Sequence, residues 1–378
     1  MHKITWLFAL MIAMIFVSPD RTNAQATAIQ DAQVYEKARV VEVSDQKTKT
    51  IPGTDTLTQS QILKAEILDG PDTGMVVTFE NDYPTQLEKG DTFYARHQTN
   101  HFDNTDLWSV ADPYRLPVLG ILTLLFIVLI FVFGGIQGVR GLASLCGSLL
   151  LIFYVLIPGI YGGYSPILVS IGVSSLIIII GSYITHGFNR TTSAAVFGMI
   201  GTVFITGLAG YWVVHAAHLS GYTSEENVYL NFDTHGTISM VGLLFGGIMI
   251  GLLGVLYDIA IGQAVAVEEL FSAGAHLGHK EIYSRAIRIG REHIGALVNT
   301  LAIAYVGAAL PLLLLIQSSN TGILFMLNSE LFATEIVRIL IGSIGLILGV
   351  PITTLIATYI LAGQKHSARS QEVHVHHH

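Results

Sequence analysis

Long apolar runs dominate the chain from residue 116 onwards. Seven of them are each about as long as a membrane-crossing helix, at 116–135, 141–158, 166–184, 192–215, 237–257, 294–316 and 333–361. Such a run crosses the hydrocarbon core of a bilayer as a helix, because a helix satisfies its own backbone hydrogen bonds. The sequence therefore predicts a mainly α fold, a polytopic bundle of about seven transmembrane helices within residues 115–364.

The basic residues between and after these runs all fall on one side of the predicted membrane. They are Arg140, Arg190, Lys280, Arg285, Arg288, Arg291, Lys365 and Arg369. The loops on the other side, near 159–165, 216–236 and 317–332, contain Glu and Asp but neither Lys nor Arg. The positive-inside rule assigns the basic side to the cytoplasm. We therefore predict an extracytoplasmic N-terminus, a cytoplasmic or interfacial segment at 257–292 and a cytoplasmic tail at 365–378.

The composition agrees with a chain that is dissolved mostly in lipid. Hydrophobic residues make up 51% of the sequence and charged residues 12%, which is about half the charged share of an ordinary soluble domain. The formal net charge of −8 argues against nucleic acid as a partner. We expect the lipid bilayer and a small ion or solute as partners, and a homo-oligomer is left open.

The first 26 residues have the pattern of a secretory signal peptide. His2 and Lys3 precede an apolar stretch at 4–17, and small residues follow at 24–26. This stretch is shorter than a membrane span and has the length of a signal core, although an uncleaved anchor is the alternative. Cleavage leaves residues 27–114 outside the cell, as the charge pattern independently requires.

Residues 27–114 are expected to form a separate extracytoplasmic domain rich in β-structure. Alternating stretches at 37–43, 62–68, 75–79 and 92–96 are typical of strands, and Gly and Asp separate them. About 80 residues suit a small β-barrel of the OB type or a sandwich. The single cysteine, Cys146, lies in the second run, so this domain folds without a disulfide.

Two features predict irregularities in the helices. The fifth run continues to about residue 271, so it bends along the inner interface, re-enters the membrane partway or extends into the cytoplasm. Pro351 is expected to kink the last helix or end its regular hydrogen bonding.

Ionisable and amide side chains at membrane depth give the best indication of function, because they are expensive to place there. Six residues form the candidate ion site: Asp258, Asn299, Glu268, Glu269, Glu335 and Arg338. One interpretation gathers them around a polar cavity that binds a cation or relays protons. The other leaves Asp258 and the Glu pair as solvated interfacial charges and makes Glu335 and Arg338 a structural ion pair at i, i+3.

A second, metal-binding group is conceivable on the outer side. His215 and His218 have the i, i+3 spacing of a helical chelate, with Asp233 and His235 nearby in sequence. The alternative places these histidines in the headgroup layer without a metal. The histidines of the C-terminus, His374 and 376–378, are either native or part of a purification tag.

The sequence contains no Walker loop, no His-Glu-x-x-His motif and no Gly-x-Ser-x-Gly motif. We therefore expect no enzymatic activity and no cofactor other than a bound cation. A weaker hypothesis makes Asp258 and Glu269 the acid–base pair of an intramembrane enzyme, but eleven residues of helix separate them by about 16 Å.

Several motifs in order resemble the YibE/F family of bacterial integral membrane proteins. They are residues 185–195, 257–260, 266–270, 290–291, 299–301 and 335–338. The resemblance covers roughly residues 118–362 and implies a multi-pass protein of the bacterial plasma membrane with a β-rich segment ahead of the helices. It implies no substrate.

Two functions remain in view. The first is a secondary transporter or channel-like permease for a small ion, with the buried acidic and amide residues as its site. The second is a non-transporting scaffold or sensor whose extracytoplasmic domain binds a partner. Seven spans with ionisable residues exceed what an anchor needs, which favours the first.

Overall fold

A computed structural model describes residues 33–50, 57–83, 85–100, 105–274, 277–318 and 321–362. The predicted signal peptide, the cytoplasmic tail and the C-terminal histidines lie outside these residues. The chain divides into two compact units, with the boundary between Phe133 and Gly134. We call them the barrel unit and the helical unit.

The barrel unit contains a closed barrel of five strands, so of the two predicted architectures the barrel forms and the sandwich does not. The strands are β1 (Gln33–Thr50), β2 (Leu57–Ile67), β3 (Val76–Asn81), β4 (Thr92–Asn100) and β5 (Thr105–Pro113). They pair in the order β1-β2-β3-β5-β4, and β4 closes on β1. All pairs are antiparallel except β3 with β5.

Strand β5 is absent from the sequence prediction, which found the other four. Asp106, Ser109 and Asp112 interrupt the apolar alternation that identifies a strand from sequence alone. Trp108 and Val110 nevertheless pack against the barrel core. Pairing with β4 over the whole strand supplies the hydrogen bonds that the local sequence does not signal.

The barrel core is built around aromatic side chains. Phe79 and Phe93 are fully buried and meet edge to face, with ring centroids 5.2 Å apart. Beside them the buried Gln61 side chain accepts hydrogen bonds from Asn81 Nδ2 at 3.0 Å and from the Leu87 backbone N–H at 2.9 Å. These bonds fix the connection between β3 and β4 against the core.

The remaining described elements are helices. They are α1 (Leu116–Tyr161), α2 (Pro166–His186), α3 (Arg190–Ala216), α4 (Glu225–Asp233), α5 (Met240–Ala273), α6 (His279–Ala308), α7 (Leu310–Ser318), α8 (Ile323–Asn328) and α9 (Glu330–Leu361). Five of these are long and apolar enough to cross a membrane, and the count is six if the bent pair α6–α7 forms one span. The protein is therefore a mainly helical membrane protein.

Helix α1 covers both of the first two predicted runs. Its backbone leaves helical geometry at Gly135, where φ is 52° and ψ is −143°. A π-helical turn at Ile152–Leu156 directly precedes Pro158, which has no N–H to continue the α pattern. At about 1.5 Å per residue the 46 residues of α1 have a summed helical length of about 69 Å, counted along the chain through the break, which is more than twice the thickness of a bilayer core.

Three further helices differ in detail from expectation. Helix α5 continues unbroken to Ala273, so of the three alternatives the fifth run simply extends as a helix. The sixth predicted run is not one straight helix, because α6 and the start of α7 meet at 72° beside Pro311. Pro351 does not end α9, which continues to Leu361.

The helical unit packs through glycines and hydroxyl side chains. Helix α9 contacts α3, α5 and α6. A Cβ atom at Gly198 of α3 would lie 2.8 Å from Cα of Thr353 of α9, and one at Gly345 would lie 2.9 Å from the side chain of Thr206. Glycine at these positions therefore allows the close helix approach that stabilises packing in lipid.

Candidate functional site

A cleft of about 580 Å³ opens in the helical unit between α1, α2 and α5. Aliphatic side chains line most of it, among them Leu145, Leu149, Ile177, Ile250 and Leu253. Its polar lining residues are Ser144, Ser148, Thr185, His186, Tyr257 and Asp258. The cleft is therefore an apolar groove with one cluster of groups that can exchange protons or coordinate an ion.

The position of Asp258 along α5 places this polar cluster near one end of the membrane crossing. Asp258 lies about 27 Å along the helix from Met240, close to the thickness of a bilayer core. Ile250 lies about 12 Å back from Asp258 along the helix, near the middle of the crossing. The cleft thus extends from the end of the span towards its centre.

The connection between α2 and α3 holds one side of the cleft. Helix α2 ends at His186 because Gly187, with φ of 78°, takes a backbone conformation that ends the helix. Asn189 caps α3, accepting a hydrogen bond from the backbone N–H of Thr192 at 2.6 Å. Gln137 of α1 donates from Nε2 to the carbonyl oxygen of Thr185 at 3.2 Å. These contacts fix Thr185 and His186 at the polar end of the cleft.

Tyr257 contributes a buried hydroxyl beside Asp258. The hydroxyls of Ser144, Ser182 and Thr185 surround it, but it makes no hydrogen bond of standard geometry within the described part of the chain. A Cβ at Gly181 would lie 2.7 Å from Ser144 Oγ, so glycine is needed for this close approach of α2 to α1. The His186 ring lies 6.4 Å from the Tyr257 ring, centroid to centroid.

Asp258 is the member of the predicted ion site that lines the cleft. Its side chain is exposed on the surface of the helical unit, and it forms no ion pair with any residue that the structure describes. A carboxylate at the end of a span that lines a cleft and has no ion-pair partner is suited to bind a proton or a cation. His186, Tyr257 and Ser144 were missed as site residues, although two of them lie within the motifs at 185–195 and 257–260.

The other five predicted residues lie away from this cleft. Glu268 is half-buried and Glu269 exposed further along α5, and Asn299 is exposed on α6. Glu335 and Arg338 form the predicted ion pair on α9, with Glu335 Oε1 2.8 Å from an Arg338 amino group. Because Glu269 is outside the cleft, Asp258 and Glu269 do not share a site.

The predicted outer metal site does not form. Within the described residues no group of three or more His, Cys, Asp or Glu side chains has an arrangement that could hold a metal ion. The i, i+3 spacing of His215 and His218 does not apply, because α3 ends at Ala216 and His218 has a positive φ of 53°. The ring of His215 instead bonds the carbonyl oxygen of Tyr211 at 2.8 Å, and His235 lies in a turn after α4.

Glu330 has a structural role that the sequence did not suggest. Its carboxylate, in the first turn of α9, accepts hydrogen bonds from the backbone N–H groups of Ser220 and Gly221 at 2.6 and 2.8 Å. The Ser220 hydroxyl donates to it as well, at 2.7 Å. These hydrogen bonds hold the loop after α3 against the start of α9. The helix dipole also stabilises a negative charge at this end of α9.

Comparison with known proteins agrees with the resemblance noted in the sequence. A family model described as YibE/F-like protein matches residues 122–363, which comprise α1 from its second turn through α9. A search of curated proteins finds no match. A search of solved structures likewise finds no match.

Proposed function

We propose a function for this chain, which belongs to the family of YibE/F-like proteins. It is a secondary transporter or channel-like permease for a small cation, the proton included. The cleft between α1, α2 and α5 is its ion site. Asp258 is the residue that binds the transported ion, and His186 and Tyr257 assist it.

One observation carries this proposal. Asp258 lies in a cleft that reaches towards the centre of the span, and it has no ion-pair partner among the described residues. A carboxylate that lines a cleft in a membrane span and has no ion-pair partner there is suited to handle ions. The hydroxyls of Ser144 and Ser148 add oxygen ligands that suit a hard cation.

The proposed topology has seven crossings in the bacterial plasma membrane, with the five-stranded barrel outside the cell. It requires that Gly135 divide α1 into two crossings, of about 28 Å before this residue and about 39 Å after it, which the non-helical backbone at Gly135 supports. The basic residues Arg140 and Arg190 adjoin the end of the helical unit that carries Asp258, which supports a cytoplasmic opening of the cleft.

The experiment is a flux assay on the full chain reconstituted in liposomes. A pH-sensitive dye inside the vesicles follows proton entry under an imposed potential, and sodium and potassium gradients are tested separately. We expect wild-type flux of at least one of these ions and a loss of about tenfold or more in Asp258→Asn, because the neutral amide cannot release a proton or balance a cation's charge.

The matched control is Glu269→Gln. Glu269 is exposed on the same helix and eleven residues further on, but it does not line the cleft. We expect its flux to equal that of the wild type. Unchanged flux in Asp258→Asn would show that the cleft is not the ion site, and no flux in the wild type for any of the three ions would count against permeation itself.

A scaffold or sensor is the second candidate, and a groove on the barrel unit favours it. The groove has a volume of about 550 Å³ and is lined by Tyr35, Tyr94, Arg96, Val110 and Asp112. Aromatic and arginine side chains are enriched where proteins bind partners. A partner that co-purifies with the wild type but not with Tyr35→Ala, together with an absence of ion flux, would support this function instead.

A further inference from the structure

The first half of α6 is amphipathic, unlike the other long helices of the unit. Ile282, Ala286 and Gly290 repeat every four residues and are buried, with Gly290 packed against Val350 of α9. The opposite face carries an exposed stripe at i, i+4, i+8 and i+11: Lys280, Ser284, Arg288 and Arg291. We call these four residues the basic stripe.

The basic stripe borders an open groove of about 730 Å³. Tyr283 and Ile287 add an aromatic and an aliphatic surface to its lining, so the groove offers both charge and apolar contact. This combination matches a ligand that has an anionic group next to hydrocarbon.

The cations of the stripe are not neutralised by the protein. Arg285, to one side of it, pairs with Glu281 at 2.6 Å. Lys280, Arg288 and Arg291 have no ion pair with any side chain in the described ranges. Lys280 lies beside Glu281 in the first turn of α6, at the positive end of the helix dipole.

Two members of the basic stripe, Arg288 and Arg291, lie near the depth of lipid phosphates when α6 crosses the membrane. The apolar part of α6 begins at Ile294, about 4.5 Å along the helix from Arg291 and about 9 Å from Arg288. The headgroup layer extends roughly 5–8 Å beyond the hydrocarbon core on each side. The two guanidinium groups therefore fall within or just beyond that layer when α6 crosses the membrane.

From these observations we infer that the basic stripe of α6 binds the phosphate group of an anionic phospholipid in the adjacent leaflet. Arg288 and Arg291 hold the phosphate oxygens through paired N–H donors. The acyl chains lie along the apolar continuation of the helix. The positive-inside rule explains basic residues at this end of the helix but does not require them on one exposed face.

Native mass spectrometry of the full chain in a neutral detergent tests this inference. Phosphatidylglycerol is added to one sample and phosphatidylcholine to another, and bound lipid is counted on the intact protein. We expect preferential binding of phosphatidylglycerol, and a loss of about tenfold or more in its affinity for the double variant Arg288→Gln/Arg291→Gln, because each juxtamembrane cation contributes to anionic lipid binding.

Two further variants keep the test decisive. Glu281→Gln/Arg285→Gln removes an ion pair from the groove lining without changing its net charge, so this variant should bind phosphatidylglycerol like the wild type. Ser284→Asp adds a negative charge within the stripe at an exposed position and should weaken binding even if the double variant fails to fold. Wild-type binding by either Ser284→Asp or a folded double variant would overturn the inference.

A competition arm distinguishes a lipid from free phosphate. Millimolar inorganic phosphate should leave phosphatidylglycerol bound, because the acyl chains contribute apolar contact that the free ion lacks. If inorganic phosphate displaces the lipid, the stripe is a site for soluble phosphate and the inference is wrong. Equal binding of phosphatidylcholine would also overturn it, since the stripe would then not select for charge.

Discussion

In the barrel unit a carboxylate, that of Glu36, is only 1% exposed, whereas every buried polar side chain described in the helical unit is neutral. Neither oxygen of Glu36 makes a hydrogen bond to a described residue. The buried polar groups of the helical unit are hydroxyls and one amide, that of Gln263. The helical unit, which packs in apolar surroundings, therefore buries no charged side chain among its described residues, whereas the barrel unit buries one.

The difference follows from the solvent of each unit. Burial of apolar surface from water stabilises the barrel, and this term can outweigh one unfavourable carboxylate. Lipid provides no comparable drive between helices, so close packing and hydrogen bonds must hold them together. In that setting small residues and neutral hydroxyls are tolerated, whereas a buried charge needs a compensating partner.

The largest effect should come from the barrel core. Phe79→Ala removes a fully buried ring that contacts both Phe93 and Trp108, so the free energy of unfolding of the barrel should fall by about 3–5 kcal/mol. Urea unfolding of the full chain in detergent measures it through Trp108 fluorescence, with the other two tryptophans, Trp6 and Trp212, replaced by Phe.

Leu107→Ala is the control for this prediction. Leu107 is on β5 but is 61% exposed, so the same measurement should change by less than about 0.5 kcal/mol. Equal losses in the two variants would mean that burial from water does not dominate the stability of the barrel.

Glycine contacts should give the next largest effect, in the helical unit. Gly198→Leu places side-chain atoms where Cα of Thr353 lies 2.8 Å from the added Cβ, so α3 and α9 must separate. We expect a loss of about 1–3 kcal/mol, measured as a lower Tm in detergent. Gly247→Ala should leave the Tm unchanged, because nothing described lies within 4 Å of a Cβ there.

The solvent of each unit also determines how much of its fold can be predicted from the sequence. The apolar runs located the long helices, because the bilayer requires helices of that length. Strand β5 escaped prediction because its polar residues hide the alternation, and its pairing with β4 is a tertiary contact. The bend at Pro311 and the break at Gly135 depend on backbone conformations that composition alone does not determine.

The site was predictable only in part. Asp258 was identified because an acid in an apolar run is conspicuous. Ser144 and His186 reach the same cleft from α1 and α2, and nothing in a single sequence specifies which faces of those helices meet α5. The proposed metal site was wrong because its spacing assumed that α3 continues beyond Ala216.

The pH dependence of the barrel's stability tests whether Glu36 is a buried carboxylate. Burial raises the pKa of Glu36. The backbone N–H of Asp72 and the charge of His97 oppose this effect, whereas the Asp72 and Asp69 carboxylates add to it. The folded state therefore favours protonated Glu36. Its contribution to stability is fully present below the ordinary pKa of a glutamate and is lost as the pH rises through the raised value.

Glu36→Gln removes this titration. We expect the free energy of unfolding of the wild-type barrel to decrease between pH 4 and pH 8, and the variant to show a smaller decrease. At pH 8 the variant should be more stable by about 1 kcal/mol or more, since an unpartnered buried group, above all a charged one, costs at least that much. Parallel pH profiles for the two proteins would show that Glu36 is not a buried charge in solution.

The smallest effect concerns a neutral hydrogen bond inside the helical unit. The Thr354 hydroxyl of α9 lies 2.8 Å from Gln263 Oε1 of α5 and 2.7 Å from the Val350 carbonyl oxygen of its own helix, so the two acceptors share its one proton. Both the Thr354 and the Gln263 side chains are buried. Thr354→Val should lower stability by about 0.6 kcal/mol, the average for such bonds in membrane helices. Thr358→Val is the control, because its hydroxyl donates within its own helix, to the Thr354 carbonyl.

A double-mutant cycle with Gln263→Leu isolates the coupling between the two helices. The two substitutions together should cost less than the sum of their separate losses, by about the same 0.6 kcal/mol. Strict additivity would mean that the amide and the hydroxyl do not stabilise the contact between α5 and α9. The glycine contacts would then account for helix association, and the buried hydroxyls of this unit would add nothing to its stability.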